Sequence, residues 1–235
     1  MPKVSTVTLS SVLDAREVTL PNFDKQYLDD VSFVTAMTLV LMGNYCQTGH
    51  FGGPLAYTPY TVASHLIGPE LGGLKYDYRR PKHPFSDKFM LAGGHNAPVT
   101  YALWMVLGEA LYRKHQATGD KKYLADYDQT LLPIDCIGFR RSKKGMETIL
   151  SENGLTEHPS MKQAKVRGIR ALSGHSESTD VTNDVNGGPS GIGIATAAGK
   201  ATFWDIIGAP ESPKVMAVEG EFAMTSGHSQ EMKTQ

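Results

Sequence analysis

Cysteine is scarce in this chain. The 235 residues contain two, Cys46 and Cys136. Thiols so far apart make neither a disulfide framework nor a zinc motif, and read instead as packed side chains in a reduced, cytoplasmic setting. Charge of one sign is also lacking: 23 basic residues stand against 24 acidic ones, for a net charge of −1. With no sustained basic stretch, the electrostatic footprint of a nucleic-acid partner is missing. The densest basic group, Arg140, Arg141, Lys143 and Lys144, reads as solvated surface. The longest apolar run, around Met37 to Met42, falls far short of the ~20 residues that span a bilayer. The N-terminus, MPKVSTVTLSS, lacks the apolar centre of a signal peptide, so no membrane partner is expected. Neither an internal repeat nor a low-complexity segment is visible.

What remains is ordinary globular composition, 40% hydrophobic and 20% charged, in a chain long enough to bury a core without disulfides or structural metals. Residues 1–27 are set apart as an N-terminal arm, irregular through residue 25, before a domain over 28–235. Apolar periodicity predicts a helix from Leu28 to Tyr45, with Asp29 and Asp30 in its first turn and Val31, Val34, Met37 and Leu41 on its buried face. A glycine-punctuated loop covers Thr48 to Leu55, and a short helix covers 57–67. Phe89 to Leu91 reads as a buried strand, Pro98 to His115 as a helix with Trp104 and Met105 in the core, and Ser190 to Trp204 as a further helix. Val215 to Val218 reads as a strand. Segment 117–170 is mixed, with short helices and loops. His65, His83, His115 and His158 show no partner pattern. Strands alternating with helices, with glycine loops at strand ends, argue for an α/β fold with a mainly parallel sheet flanked by helices. Ligands of such folds sit at the carboxyl ends of the strands.

Four segments place polar groups in glycine-rich loops beside predicted helix starts: Thr48–Pro54 (TGHFGGP), Gly93–Asn96 (GGHN), Ser173–Glu177 (SGHSE) and Gly187–Gly193 (GGPSGIG). Glycine lets backbone approach a ligand closely. N–H groups at helix starts bind phosphate oxygens, and histidine donates to phosphate or moves protons near neutrality. The last segment is not a dinucleotide fingerprint, because it follows no strand and carries Pro189.

In order and in most spacings, the set resembles the N-terminal half of the transketolase family, from about residue 30 to the last residue. Thr48 to Ala56 matches that family's Ser-Gly-His-Pro-Gly-Ala-Pro-Leu-Gly segment. DKFMLAGGH, ending at His95, matches a strand running into Gly-His. Gly174-His175-Ser176-Glu177 matches Gly-His-Pro-Glu, and Gly187 to Gly193 matches Thr-Gly-Pro-Leu-Gly-Gln-Gly. The strand at 215–218 leads into the place of the Gly-Asp-Gly motif.

This resemblance implies the diphosphate-binding domain of a thiamine diphosphate enzyme. Such an enzyme is a dimer that transfers a two-carbon ketol unit between sugar phosphates. By resemblance, His95 contacts the cofactor diphosphate, with Gly188, Ser190 and Gly220 at the cofactor, while His50 and His175 bind donor hydroxyls and move protons. A Mg²⁺ or Ca²⁺ ion is implied too, and it needs a hard oxygen ligand. Glutamate stands in for the family's aspartate here, either Glu219 or Glu221. The reading prefers Glu219, since the other register puts an unpaired carboxylate in a buried strand.

Several departures accompany the match. Phe51 replaces a proline, and 80 residues separate His95 from His175, a much longer interval than the family's. The second, pyrimidine-binding domain and its glutamate have no counterpart. The expectation is therefore a domain truncated at its C-terminus, completed by a homodimer partner or a complementary C-terminal half. The alternatives are the first component of a thiamine diphosphate-dependent 2-oxo acid dehydrogenase or decarboxylase, and a non-catalytic paralogue.

Overall fold

The computed structural model describes residues 4–10, 15–157, 161, 168–189, 191–209, 211, 213–220 and 222–234. The arm expected to be irregular instead contains two strands, β1 (Val4–Ser10) and β2 (Ala15–Pro21), paired antiparallel with Val4 opposite Pro21 and Val7 opposite Val18. Valine and threonine recur through both segments, and such β-branched residues favour extended backbone.

Helix α1 (Lys25–Cys46) begins one turn earlier than periodicity indicates, because Asp24 caps it by accepting from the Tyr27 N–H at 3.1 Å. Asp29 and Asp30 consequently fall in the second turn, where they pair with Lys25 and Gln26. The buried face also differs. Leu28, Thr35, Leu39, Met42 and Cys46 point inward, while Val34, Met37 and Leu41 are half exposed. This helix is apolar on two sides, so periodicity alone cannot select the inner one.

The loop expected to run to Leu55 stops at Phe51. Gly52, Gly53 and Pro54 instead form the first turn of α2 (Gly52–Leu66). Strand β3 (Lys88–Leu91) leads through the short turn Gly94–Asn96 into α3 (Ala97–Thr118). After α4 (Lys143–Glu152), α5 (Ile192–Ile206), β4 (Val215–Val218) and α6 (Gly227–Thr234) complete the order. β4 lies parallel to β3, with Lys88 opposite Val215 and Leu91 opposite Val218. The class is α/β, but the parallel sheet among the described residues is a pair of strands, and helical residues far outnumber strand residues.

Helix α3 is the centre of the core. Tyr101, Leu103, Trp104 and Met105 are at most 1% exposed, and each contributes roughly 1.5–3 kcal/mol by leaving water. The long segment after α3 wraps back onto it: Leu131, Leu132, Ile137 and Phe139 join the same cluster. Asp135 ties that wrap together, its carboxylate accepting from the N–H groups of Leu132 (2.8 Å) and Arg170 (2.9 Å). Cys46 and Cys136 are free, buried thiols, and burial pushes Cys136 up to about 12, so it remains protonated and unreactive. Among the described residues no helix is long and apolar enough to cross a membrane.

Candidate functional site

The carboxyl ends of β3 and β4 lie side by side, joined by the Ala92 N–H donating to the Val218 carbonyl at 2.8 Å. The glycine-bearing segments gather there. Gly94 touches Gly187 so closely that a Cβ on Gly94 would lie 1.9 Å from the Gly187 carbonyl oxygen. The Ser176 N–H donates to the Gly94 carbonyl at 3.0 Å, and the Gly187 N–H donates to the Ser176 carbonyl at 2.7 Å. A Cβ on Gly193 would meet Ala92 at 2.3 Å. Glycine at these positions is what allows the loop at Ser176 and the segment 187–193 to approach the end of β3.

Each sequence-derived candidate can now be placed. The His50 and His95 rings stand edge to face, 5.5 Å between centroids. His50 is exposed and His95 half-buried. His175 is exposed on the loop that Ser176 anchors beside His95, and its own carbonyl accepts from the Tyr101 hydroxyl at 3.5 Å. That loop is held from below by a buried set: Tyr101 donates to Asp180, which also accepts from the Glu177 N–H (3.1 Å) and Asn183 (3.3 Å). Burial raises the Asp180 carboxyl above its ordinary range. Gly188 is exposed, with open space where a Cβ would go. Ser190 and Glu221 lie outside the described residues.

A cleft of about 390 Å³ opens between the starts of α2 and α3 and the end of β4, lined by Gly52, Gly53, Tyr57, His95, Asn96 and Gly220 among others. His95 and Gly220 are therefore on its wall. His50, His175 and Gly188 are not among its lining residues. Helix α2 presents an uncapped N-terminus, Phe51 making no side-chain cap, whereas the start of α3 is closed: the Asn96 and Ala97 N–H groups bond the Gly93 and Gly94 carbonyls, and Pro98 has none. Unsatisfied N–H groups at an uncapped end favour an anion. A diphosphate fits the chemistry of this wall: the N-terminus of α2, a histidine and glycines that admit close approach.

A divalent cation at Glu219 does not fit in the same way. The Glu219 carboxylate accepts from the buried Ser229 hydroxyl and pairs with Lys233 at 3.3 Å, both partners coming from α6. A metal there would have to displace an ammonium already in place. Among the described residues no group of three or more His, Cys, Asp or Glu side chains is arranged to hold a metal ion. The objection to the Glu221 register was an unpaired Glu219, and α6 supplies that pairing.

Sequence reading missed two contributors. Phe139, from the long segment between His95 and His175, packs edge-on against Phe51 at 5.9 Å and lies under Gly49. Arg140 is exposed, as read, and lies against Gly174 beside His175, whereas Arg141 is half-buried and donates to the Tyr45 carbonyl at 2.5 Å. Nothing in the local pattern of a basic cluster marks out its half-buried member.

No family model matches the chain. A mouse protein named transketolase-like protein 2 is 30% identical over 94 residues, which is 40% of this chain and 14% of that protein. The human protein of the same name is 44% identical over 36 residues, 15% of this chain and 6% of its own length. Among solved structures, transketolase from Leishmania mexicana superposes with a TM-score of 0.54 at 20% identity, covering 87% of this chain and 24% of its own. A transketolase variant from Pichia stipitis gives 0.57 at 19% identity, covering 90% and 25%. The chain thus spans about a quarter of the solved relatives' length and matches a smaller part of the curated ones. The fold is the α/β fold of the corresponding part of transketolases. Together with the sequence matches, it relates the chain to the transketolase family.

Proposed function

We propose that this chain is the diphosphate-binding part of a transketolase-like transferase. The transferase moves a two-carbon ketol unit between sugar phosphates with thiamine diphosphate as cofactor, and is completed by a pyrimidine-binding domain from a homodimer partner or a complementary C-terminal half. The observation that carries this reading is the convergence of the four glycine segments on the ends of β3 and β4, beside a cleft walled by His95 and the uncapped N-terminus of α2. When bound, thiamine diphosphate supplies the nucleophilic carbon for cleaving a bond next to a carbonyl.

The chain's own residues have separate tasks. His95, on the cleft wall, donates to a diphosphate oxygen, and Gly220, Gly188 and Ser190 let the backbone approach the cofactor. His50, 5.5 Å from His95, and His175, on the anchored loop, hydrogen-bond the donor's hydroxyls and move protons as the bond breaks. The Tyr101–Asp180 set keeps the His175 loop in register. Glu221 is the remaining candidate for a Mg²⁺ or Ca²⁺ ligand. The apolar residues exposed on α1, Phe33, Val34, Met37, Val40 and Leu41, support the need for a partner surface, since large contiguous apolar patches mark interaction sites.

The test is calorimetric titration with thiamine diphosphate. Binding that His95→Ala weakens about tenfold or more, the range expected for one charge-assisted hydrogen bond, is the expected result. No binding by wild type would sink the reading. Turnover of a ketose phosphate rather than pyruvate by the assembled protein separates it from the 2-oxo acid reading. The engaged Glu219 carboxylate favours one other reading, a paralogue that binds without catalysing. Cofactor binding with no turnover of either substrate would identify it.

A further inference from the structure

Asn96 occupies an unusual position for its residue type. It is the N-cap of the 22-residue helix α3, where an asparagine side chain ordinarily accepts a hydrogen bond from a first-turn N–H. Here it makes no such cap. One of the donors it could have taken is missing, because the second residue of the helix is Pro98. The carboxamide turns instead into the space between α2 and the end of β3. A Cβ on Gly53 would lie 2.2 Å from Asn96 Oδ1, and one on Gly93 would lie 3.2 Å from Asn96 Nδ2. Glycine at both positions leaves the slot that the carboxamide fills. Asn96 is 4% exposed, lines the cleft, and its Oδ1 is buried without a hydrogen-bond partner.

A buried carboxamide with an unmet hydrogen bond is unfavourable by itself and is retained where something else completes it. The surroundings indicate what that is. The first turn of α2 brings Gly52 and Gly53 to the cleft without a side-chain cap, and an anion is favoured at such an end. A 180° turn about the last side-chain bond exchanges Oδ1 and Nδ2 and is not distinguished by shape. Turned that way, Asn96 places an N–H donor beside the first turn of α2, against Gly53.

We propose that Asn96 is a ligand-binding residue of this cleft, its carboxamide donating to a phosphoryl oxygen held at the N-terminus of α2. The assignment rests on the cleft being a phosphate-binding site, as in the function proposed above, and adds to it a side chain that the family resemblance does not supply. Phosphoryl groups reach such a site from a cofactor diphosphate or from a sugar phosphate, and the chemistry recognised is the same.

The experiment titrates the full chain with inorganic pyrophosphate in one arm and ribose 5-phosphate in the other. It follows heat, and the side-chain amide resonances of ¹⁵N-labelled protein. Pyrophosphate is expected to bind wild type and to shift the Asn96 Nδ2 resonances, a readout independent of whether any variant folds. Asn96→Ala should bind about tenfold more weakly, and Asn96→Asp, isosteric but anionic and without the donor, about a hundredfold more weakly. Asn96→Ala should keep a thermal midpoint near wild type, since the native Oδ1 is unpaired, whereas Asn96→Asp buries a carboxylate and should lower it. Pyrophosphate binding with unmoved Asn96 resonances, or equal affinity in all three proteins, would overturn the role of Asn96 and leave the cleft as a diphosphate site. Asn96-dependent binding of ribose 5-phosphate without pyrophosphate would keep the role of Asn96 and sink the cofactor assignment. Binding of neither by wild type would overturn both.

Discussion

At the scale of single residues, pairing decides more than residue type. His65 carries no motif, and sequence reading leaves it without a partner. The fold buries it completely between Tyr76, Phe89 and Trp104, with Nδ1 2.7 Å from the Thr61 carbonyl. Burial pushes its imidazole down to about 4, against the opposing pull of that carbonyl. The native ring therefore stays neutral to about pH 4, while the unfolded chain protonates it near 6.5. Between those values the unfolded state binds more protons, so stability present above pH 6.5 is lost as pH falls towards 4. The size of the depression corresponds to about 3 kcal/mol. Urea unfolding at pH 7.5 and 4.5 should show that difference narrowed in His65→Leu. An unchanged pH dependence would mean that other groups carry it. Glu219 makes the same point from the other side. Its place beside the glycine motif was legible, but its engagement by Ser229 and Lys233 was not, because both come from a helix that begins eight residues later.

At the scale of elements, existence and type were largely legible, and faces and ends were not. β4 falls on the predicted residues, and α3 and α5 fall within a few residues of theirs, since apolar periodicity over a long segment specifies the element. Helix α1 shows the limit of that signal. Its inner stripe is Leu28, Leu39 and Met42, not Val34 and Leu41. Leu39→Ala should therefore cost about 2–5 kcal/mol, the usual range for a fully buried leucine. The double substitution Val34→Glu, Leu41→Glu should leave thermal unfolding of the monomeric chain nearly unchanged, surface changes being worth within about ±0.5 kcal/mol each. Unfolding of the double variant would restore the predicted face. The Asp24 cap accounts for the early start of α1, whereas the glycines assigned to a loop became the first turn of α2 without any side-chain cap.

At the scale of the whole molecule, the long interval between His95 and His175 is part of the core and not an appendage. It returns to α3, and its Phe139 supports the loop carrying His50. Phe139→Ala should destabilise the chain by about 3–5 kcal/mol and speed amide exchange at residues 48–51 beyond that of a comparably destabilised Leu150→Ala. Equal exchange in the two variants would show that the loop does not depend on this support.

The residues alone were enough to determine the α/β class, the core role of α3 and the order of four glycine-bearing segments, because periodicity and glycine's backbone freedom act over short stretches of chain. Tertiary structure alone decided which face of α1 is buried, what holds Glu219, and that the carboxamide of Asn96 turns into the cleft. Each of these depends on a neighbour distant in sequence, and packing choices of that kind leave no trace in local pattern.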